Sequence, residues 1–207
     1  MPFKERVIPL VDELDPSASA IDSVNTIVND DGHLTAYNTD YSAIRRLLVQ
    51  HRVPTDLTVL VRGSGGMAKA VAAALRDAGF TRGTIVARNE TTGRPLADLY
   101  GFDWQADVER ANADLLVNVT PVGMEGSAAH QLAFSAETIA AASIVMDVVA
   151  LPSETPLVIA ARAAGKPVIT GAEVATLQAL EQFVLYTGVR PTPEQVRLAS
   201  EFARAST

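Results

Sequence analysis

Gly63-Ser64-Gly65-Gly66-Met67-Ala68 separates an apolar run, Val59-Leu60-Val61-Arg62, from a helical pattern in which Met67, Val71, Ala74, Leu75 and Ala78 recur on one face. Residues of these types at this spacing suit one piece of chemistry, the holding of a pyrophosphate. Gly63 permits a tight turn, Gly65 lets backbone N–H groups approach an anion, and the N-terminus of the next helix offers partial positive charge. The pattern reads Gly-x-Gly-Gly-x-Ala, so Ala68 takes the close-packing position usually given to a third glycine. The same residues also fit a tight strand–helix turn with no ligand, and the positions downstream decide between the two.

The next predicted strand, Thr84-Ile85-Val86-Ala87, runs into Arg88-Asn89. At this place in a dinucleotide-binding unit an acid holds the ribose hydroxyls of NAD, whereas a basic residue accommodates the 2′-phosphate of NADP. The Arg88 guanidinium can fork onto a phosphate, and Asn89 can hydrogen-bond the ribose or the phosphate. NADP is therefore the expected cofactor. Glu90 stands one step too late to be the acid, and Arg94 and Lys69 read first as solvated surface residues. A further strand, Asp114-Leu115-Leu116-Val117-Asn118, leads into Val119-Thr120-Pro121-Val122-Gly123-Met124, a small-residue loop placed to lie along the cofactor. An ordinary strand–helix connection would use the same Pro and Gly.

These residues need a scaffold, and the chain supplies one. From residue 57 onward the pattern alternates: strand 57–62, helix 66–78, strand 83–87, helix near 92–100, strand 114–118, strand 144–149, helix 156–164 and strand 167–169. Strands alternating with helices imply an α/β fold, a doubly wound parallel sheet of Rossmann type covered on both faces. Gly79 stands where a left-handed helix cap belongs, and Thr155-Pro156 marks a helix start. Two closing helices are expected at about 172–187 and 193–205, the second opened by a capping box at Thr192-Pro193-Glu194-Gln195.

Ahead of residue 51 the pattern differs. Phe3, Val7, Leu10, Val11 and Leu14 form an apolar stripe that predicts a helix over 1–14, with Pro2 in its first turn, a kink or fresh start at Pro9 and Lys4 bordering the stripe. Residues 24–28 and 33–37 read as a hairpin around Asn29-Asp30-Asp31-Gly32. Thr39 is the expected N-cap of a helix running to about Gln50, which puts Asp40 in its first turn, where the helix dipole favours a carboxylate. The expected division is a nucleotide-binding domain over 51–171 and a smaller α/β substrate domain formed by 1–50 and 172–207.

Composition narrows the partners. The 207 residues are 48% hydrophobic and 20% charged, with a net charge of −7, which argues against a nucleic-acid backbone. There is no cysteine for a disulfide or thiolate site, and His33, His51 and His130 lack ligand-like spacing, so no metal is expected. No apolar run reaches membrane-spanning length and no signal-peptide core opens the chain, which reads as soluble and cytoplasmic.

Seven stretches, in order along nearly the whole chain, resemble the shikimate dehydrogenase family: Met1-Pro2-Phe3-Lys4-Glu5, Val24-Asn25-Thr26, Tyr37-Asn38-Thr39-Asp40, the glycine turn, Asn118 to Met124, Asp147-Val148-Val149, and Gly171 through Gln178 to Phe183. Met-Pro-Phe-Lys-Glu, Gly-Ser-Gly-Gly-Met-Ala-Lys-Ala and Ala-Arg-Asn are similar to the shikimate dehydrogenase-like branch. The resemblance implies an NADP-dependent oxidoreductase that reversibly converts a ring hydroxyl of a shikimate- or quinate-like acid to a ketone. It implies that Lys4 and Asp40 are the catalytic pair and that Asn25 and Gln178 bind ring hydroxyls. Val148 and Gly171 would join the cofactor site made by Gly63, Ser64, Gly65, Gly66, Met67, Ala68, Arg88, Asn89, Asn118, Thr120 and Gly123. It also implies the shikimate pathway of aromatic amino acid biosynthesis, and it leaves a homodimer open.

Three departures bear on that picture. Ala150 stands where the family has Tyr after Asp-Val-Val, and Val174 where a methionine is common, so the substrate stays open. Family members also carry an upstream segment with a Ser-x-Ser motif that grips the substrate carboxylate. None lies ahead of Lys4, and Ser17-Ala18-Ser19 is in the wrong place to replace it. The expectation is a substrate domain short of its first strands with apolar surface exposed. A non-catalytic NADP-binding remnant with a regulatory or assembly role is the alternative reading.

Overall fold

The computed structural model describes residues 3–108 and 112–205. The chain forms two compact units, Met1–Ala43 with Ala175–Thr207, and Ile44–Val174. The division falls inside two helices, α2 (Thr39–Gln50) and α7 (Gly171–Thr187).

The larger unit carries six parallel strands, β4 (Val59–Arg62), β5 (Gly83–Val86), β6 (Asp103–Gln105), β7 (Leu115–Asn118), β8 (Ile144–Asp147) and β9 (Val168–Thr170), in the order β6-β5-β4-β7-β8-β9. Two strands, β5 and β6, lie to one side of β4 and three, β7, β8 and β9, to the other, which is the doubly wound Rossmann order. The register is continuous, with Arg62 opposite Val86 on one side and Asn118 on the other. Helices α3 (Gly66–Ala78), α4 (Glu90–Tyr100), α5 (Ala136–Ala141) and α6 (Pro156–Ala163) belong to this unit. Leu60, Val86, Leu116 and Val145 pack with Phe134, Ile139, Leu157 and Ala161 in one buried cluster. Burying such side chains stabilises the fold by about 1.5–3 kcal/mol each.

The sheet is also pinned at its amino edge. Asp114 Oδ2 accepts from the Thr58 backbone N–H at 2.9 Å and hydroxyl at 2.6 Å, while Thr58 Oγ1 accepts from the Asp114 N–H at 3.0 Å. These Thr58 bonds hold the Asp114 carboxyl below the usual carboxylate range.

The helix signals behave as their chemistry dictates. Gly79 closes α3 in the left-handed conformation, Thr155 caps α6 by accepting from Val158 N–H at 3.2 Å, and Thr192 and Gln195 reciprocate at the start of α8 (Pro193–Ala205). Thr170 and Glu173 form a second capping box at α7, which the sequence reading did not anticipate. Two more elements escaped that reading: β6, an edge strand of three residues, and α5, a six-residue helix capped by Ser135.

In the smaller unit, β1 (Glu13–Leu14), β3 (His33–Tyr37) and β2 (Thr26–Asp30) form a three-stranded sheet in that order. The hairpin is present: Asp30 faces His33, and Asp31 and Gly32, at φ 48° and 97°, make the two-residue turn. The N-terminal helix is not. Residues 3–7 are turns, Pro9 sits in a single 3-10 turn (Ile8–Leu10), and Glu13–Leu14 pairs with β3 instead. The chain breaks because Pro9 removes a helical donor, and the sheet then offers Asp12 N–H a partner in the Leu34 carbonyl at 2.9 Å. Val7, Val11 and Leu14 still pack against Ala18, Val24 and Ala36, but Phe3 and Leu10 are exposed. Ala18 belongs to a short helix, α1 (Pro16–Ser19), and Pro2 lies outside the described residues. Phe183, Tyr186, Val189, Leu198 and Phe202 are exposed on the C-terminal segment. Among the described residues no helix is long and apolar enough to cross a membrane.

Candidate functional site

Within the smaller unit, four side chains separated in sequence converge. The Lys4 carbonyl accepts from Val24 N–H at 2.9 Å, which sets Lys4 beside the start of β2. Its ammonium donates to Asp40 Oδ2 at 2.9 Å, and the Asp40 side chain is only 9% exposed. Asp40 stands in the first turn of α2, whose cap is Asn38 rather than Thr39: Asn38 Oδ1 accepts from Tyr41 N–H at 3.1 Å. Thr39 is turned elsewhere. Its N–H and hydroxyl donate to Asn25 Oδ1 at 2.9 and 3.2 Å, and the Thr26 hydroxyl donates to the same oxygen at 2.9 Å.

These bonds fix the polarity of both amides. A backbone N–H can only donate, so the Asn25 atom facing Thr39 is the carbonyl oxygen, and its NH₂ is left to donate elsewhere. Gln178, on α7, donates Nε2 to Asp40 Oδ1, which leaves its own carbonyl oxygen as an acceptor. Gln182, one turn further along α7, donates to Thr26 Oγ1 at 3.2 Å and so braces the group that holds Asn25. Both Asp40 oxygens are engaged. The Lys4 side chain, 28% exposed, keeps N–H donors beyond the one given to Asp40.

Within the larger unit the glycine turn joins β4 to α3. Gly63 has φ +126°, and a Cβ there would stand 2.8 Å from Val119 Cγ2, so the turn admits only glycine. Gly65 and Gly66 differ: a Cβ on either would meet no atom within 4 Å. The fold does not require their bareness. Ala68 is fully buried at the close-packing position, Met67 is half-buried, and the Ser64 hydroxyl lies 2.8 Å from that of Thr92 on α4.

Arg88 and Asn89 are exposed beyond the end of β5. Asn89 Oδ1 caps α4, accepting from the Thr91 N–H at 3.0 Å and hydroxyl at 2.6 Å, so its NH₂ remains outward. Glu90 pairs with Arg94 at 2.9 Å, and the Arg94 guanidinium stacks 4.6 Å over the Trp104 ring. That engagement takes both side chains out of contention as free charges.

The loop after β7 is shaped from beneath. Asn118, fully buried, accepts from the Thr120 N–H at 3.1 Å and hydroxyl at 2.6 Å, and donates to the Val122 carbonyl at 3.1 Å and Asp147 Oδ1 at 3.0 Å. Asp147, at the end of β8, also accepts from Val149 N–H at 3.1 Å and the Thr155 hydroxyl at 2.6 Å. Burial pushes its carboxyl above the usual range, and the bonds from Thr155, Val149 and Asn118 pull the other way. Gly123 is buried against Thr155, Val148 is half-buried, and a Cβ on Gly171 would run into the Val149 carbonyl. Asp147 escaped the sequence reading as an organising residue. Its signal is an acid closing an otherwise apolar strand, Ile144-Val145-Met146.

Arg62 was also passed over. It ends β4 directly before the glycine turn, is half-buried, and donates from Nη1 to the Ala133 carbonyl. Burial, and then the charge of Arg88, holds its guanidinium below the usual arginine range.

Comparison with known proteins places this architecture. No protein-family model matches the chain. A shikimate dehydrogenase-like protein of Haemophilus influenzae is 52% identical over 99% of the chain and 76% of the relative. An NADP(+) shikimate dehydrogenase of Streptococcus pneumoniae is 34% identical over 95% of the chain and 73% of the relative. Among solved structures, a shikimate 5-dehydrogenase-like protein superposes with a TM-score of 0.96 at 52% identity, covering 99% of this chain and 76% of that one. Thermus thermophilus shikimate 5-dehydrogenase, solved with NADP(H) and shikimate, gives 0.84 at 32% identity, covering 98% and 77%. Corynebacterium glutamicum quinate dehydrogenase, solved with NAD, gives 0.85 at 32% identity, covering 98% and 75%. With half its residues shared across three quarters of a relative's length, and with the same doubly wound sheet, this chain belongs to the shikimate dehydrogenase family.

Proposed function

We propose that the protein is an NADP-dependent oxidoreductase that reversibly oxidises a ring hydroxyl of a shikimate- or quinate-like acid. The observation that carries this reading is the Lys4–Asp40 contact at 2.9 Å, set between two amides of opposite polarity. In the oxidation a bound nicotinamide would supply the acceptor for the hydride of the carbinol carbon, and Lys4, acting as the neutral amine with one N–H still given to Asp40, would take the hydroxyl proton. Asp40, with both oxygens occupied, orients the lysine. The Asn25 NH₂ donates to one ring oxygen and the Gln178 carbonyl accepts from another. A polyhydroxylated ring offers both kinds of partner on neighbouring carbons, whereas a simple ketone or aldehyde does not. Ala150 and Val174, which depart from the family pattern, leave the identity of the acid open.

The cofactor reading is supported by features of the larger unit. Gly65 and Gly66 leave open the space where a pyrophosphate would approach the N-terminus of α3. Arg88 stands where a 2′-phosphate would lie, with Asn89 beside it, and the loop shaped by Asn118 and Asp147 would run along the remainder through Thr120 and Gly123. NAD in one solved relative and NADP(H) in another make the chain's own side chains the deciding factor.

The test is turnover. Shikimate and quinate are each offered with NADP and with NAD to the native protein and to Arg88→Ala. Native turnover is expected to favour NADP, and Arg88→Ala to lose that preference. Equal use of the two cofactors by the native protein overturns the NADP assignment. Tight NADP binding with no turnover of either acid would favour the non-catalytic remnant.

A further inference from the structure

We infer that Arg62 is a second guanidinium of the 2′-phosphate site and shares with Arg88 the discrimination of NADP from NAD, an inference that rests on the NADP reading above. Register places Arg62 beside the end of β5, two residues before Arg88. Arg62 lies opposite Val86 on the neighbouring strand, and Leu60 and Val86 point into the same buried cluster. Side chains alternate along a strand, so Arg62 continues the face of Leu60, while Arg88 follows two residues after Val86, in the bend that leaves β5. Ala87, between Val86 and Arg88, lies against Gly93 of α4, while its N–H continues the ladder to the Gln105 carbonyl at 3.0 Å. Arg88 thus comes two residues after the register partner of Arg62, and its charge is felt at the Arg62 guanidinium.

Arg76, Arg94, Arg162, Arg190 and Arg197 each face a carboxylate. Among the described residues Arg62 and Arg88 make no ion pair, and Arg62 feels Arg88 as a like charge. Arg62 gives one donor to the Ala133 carbonyl, which aims the guanidinium and leaves further N–H groups unspent. A tie to a carbonyl alone needs one neutral donor. Two guanidinium groups in no ion pair, one half-buried and one exposed, beside a dinucleotide turn match a dianionic phosphate, which accepts forked bonds from both. A ribose with two hydroxyls offers no charge to offset their repulsion.

The experiment uses adenosine 2′,5′-bisphosphate and 5′-AMP as probes of the intact protein, titrated calorimetrically. The native protein is expected to bind the bisphosphate more tightly. Arg62→Met is expected to weaken bisphosphate binding about tenfold or more and to change 5′-AMP binding less than about twofold, as loss of one charge-assisted contact predicts. Arg62→Gln can keep a donor for Ala133 without the charge, and carries the same expectation should Arg62→Met fail to fold. A variant that weakens both probes equally, or neither, overturns the role of Arg62 while the native preference for the bisphosphate stands. Absence of that preference in the native protein overturns the NADP reading itself.

Discussion

Lys4 and Asp40 lie 36 residues apart in sequence, and the Lys4 ammonium donates to Asp40 Oδ2 at 2.9 Å. If Lys4 carries the hydroxyl proton, Lys4→Met lowers kcat by about 10²–10⁴ while KM for the acid moves little, because the contact strengthens only in the transition state. Asp40→Asn lowers kcat as well, since a neutral amide holds the ammonium less firmly. Steady-state rates with shikimate and quinate check both, and native turnover by Lys4→Met refutes the mechanism.

Asn25 separates a structural from a recognition role in one residue. Asn25→Asp keeps an oxygen for Thr26 and Thr39 but replaces the outward NH₂ with an acceptor. It is expected to fold and to raise KM for the acid about tenfold or more, by analogy with loss of a buried hydrogen bond. Asn25→Ala strips the Thr39 N–H of its partner and costs about 1–3 kcal/mol of stability in addition. Urea unfolding set beside KM distinguishes the two variants. An unchanged KM in Asn25→Asp removes Asn25 from the substrate site.

The two glycines that bracket Ser64 have opposite reasons for being glycine. Gly63→Ala meets Val119 Cγ2 at 2.8 Å in a backbone conformation alanine avoids, and is expected to cost about 1–3 kcal/mol. Gly65→Ala meets nothing and is expected to leave stability within about 1 kcal/mol of native. Nucleotide binding should nevertheless fall in Gly65→Ala. Thermal unfolding with and without NADP resolves the pair, and undiminished binding by Gly65→Ala removes the pyrophosphate from that turn.

Asp147 carries a pH signature of the reverse sign from Asp114 and Glu173. Its carboxyl is raised in the folded protein, so the folded state holds the proton more tightly than the unfolded chain does. Its contribution is fully present below the ordinary carboxylate pKa and is lost as pH rises through the raised value. Asp114 and Glu173 are lowered: their contribution is present above the ordinary value and lost as pH falls through the lowered one. Asp114 owes this chiefly to Thr58. For Glu173 burial opposes ionisation, but bonds from Thr170 and His51 outweigh it. The stability of the native protein relative to Asp147→Asn should therefore decline on going from about pH 3 toward about pH 7. Urea titrations across that range test it, and a difference that grows with pH contradicts the account.

The nucleotide-binding fold was legible because its signals are local. Helix α3 was bounded to the residue, since Gly66 follows the turn and Gly79 caps the end, and each is set by backbone geometry alone. The first fourteen residues were misread because Phe3, Val7, Leu10, Val11 and Leu14 repeat at helical spacing while a distant strand, β3, competes for Asp12 and Leu14. Periodicity does not register a partner that lies further along the chain. The candidate site divides in the same way. Gly63 and Arg88 could be singled out from their surroundings in sequence, whereas the roles of Lys4 and Gln178 came only by resemblance. The orientation of Asn25, set by Thr39 fourteen residues away, was not legible at all.

The clip between Thr58 and Asp114 has a kinetic consequence. It joins residues 56 apart, whereas β4 and β5 pair across a much shorter loop through α3. Each doubling of loop length adds about 0.6 kcal/mol of closure entropy. The β4–α3–β5 unit therefore assembles at the lower entropic cost, and the closure of β7 onto β4 forms the more expensive contact in the folding transition. Bonds of the Thr58–Asp114 kind, made only when the two strands are in register, slow unfolding more than they speed folding. Removing the Thr58–Asp114 clip at the amino edge of the sheet is thus expected to speed unfolding more than it slows folding.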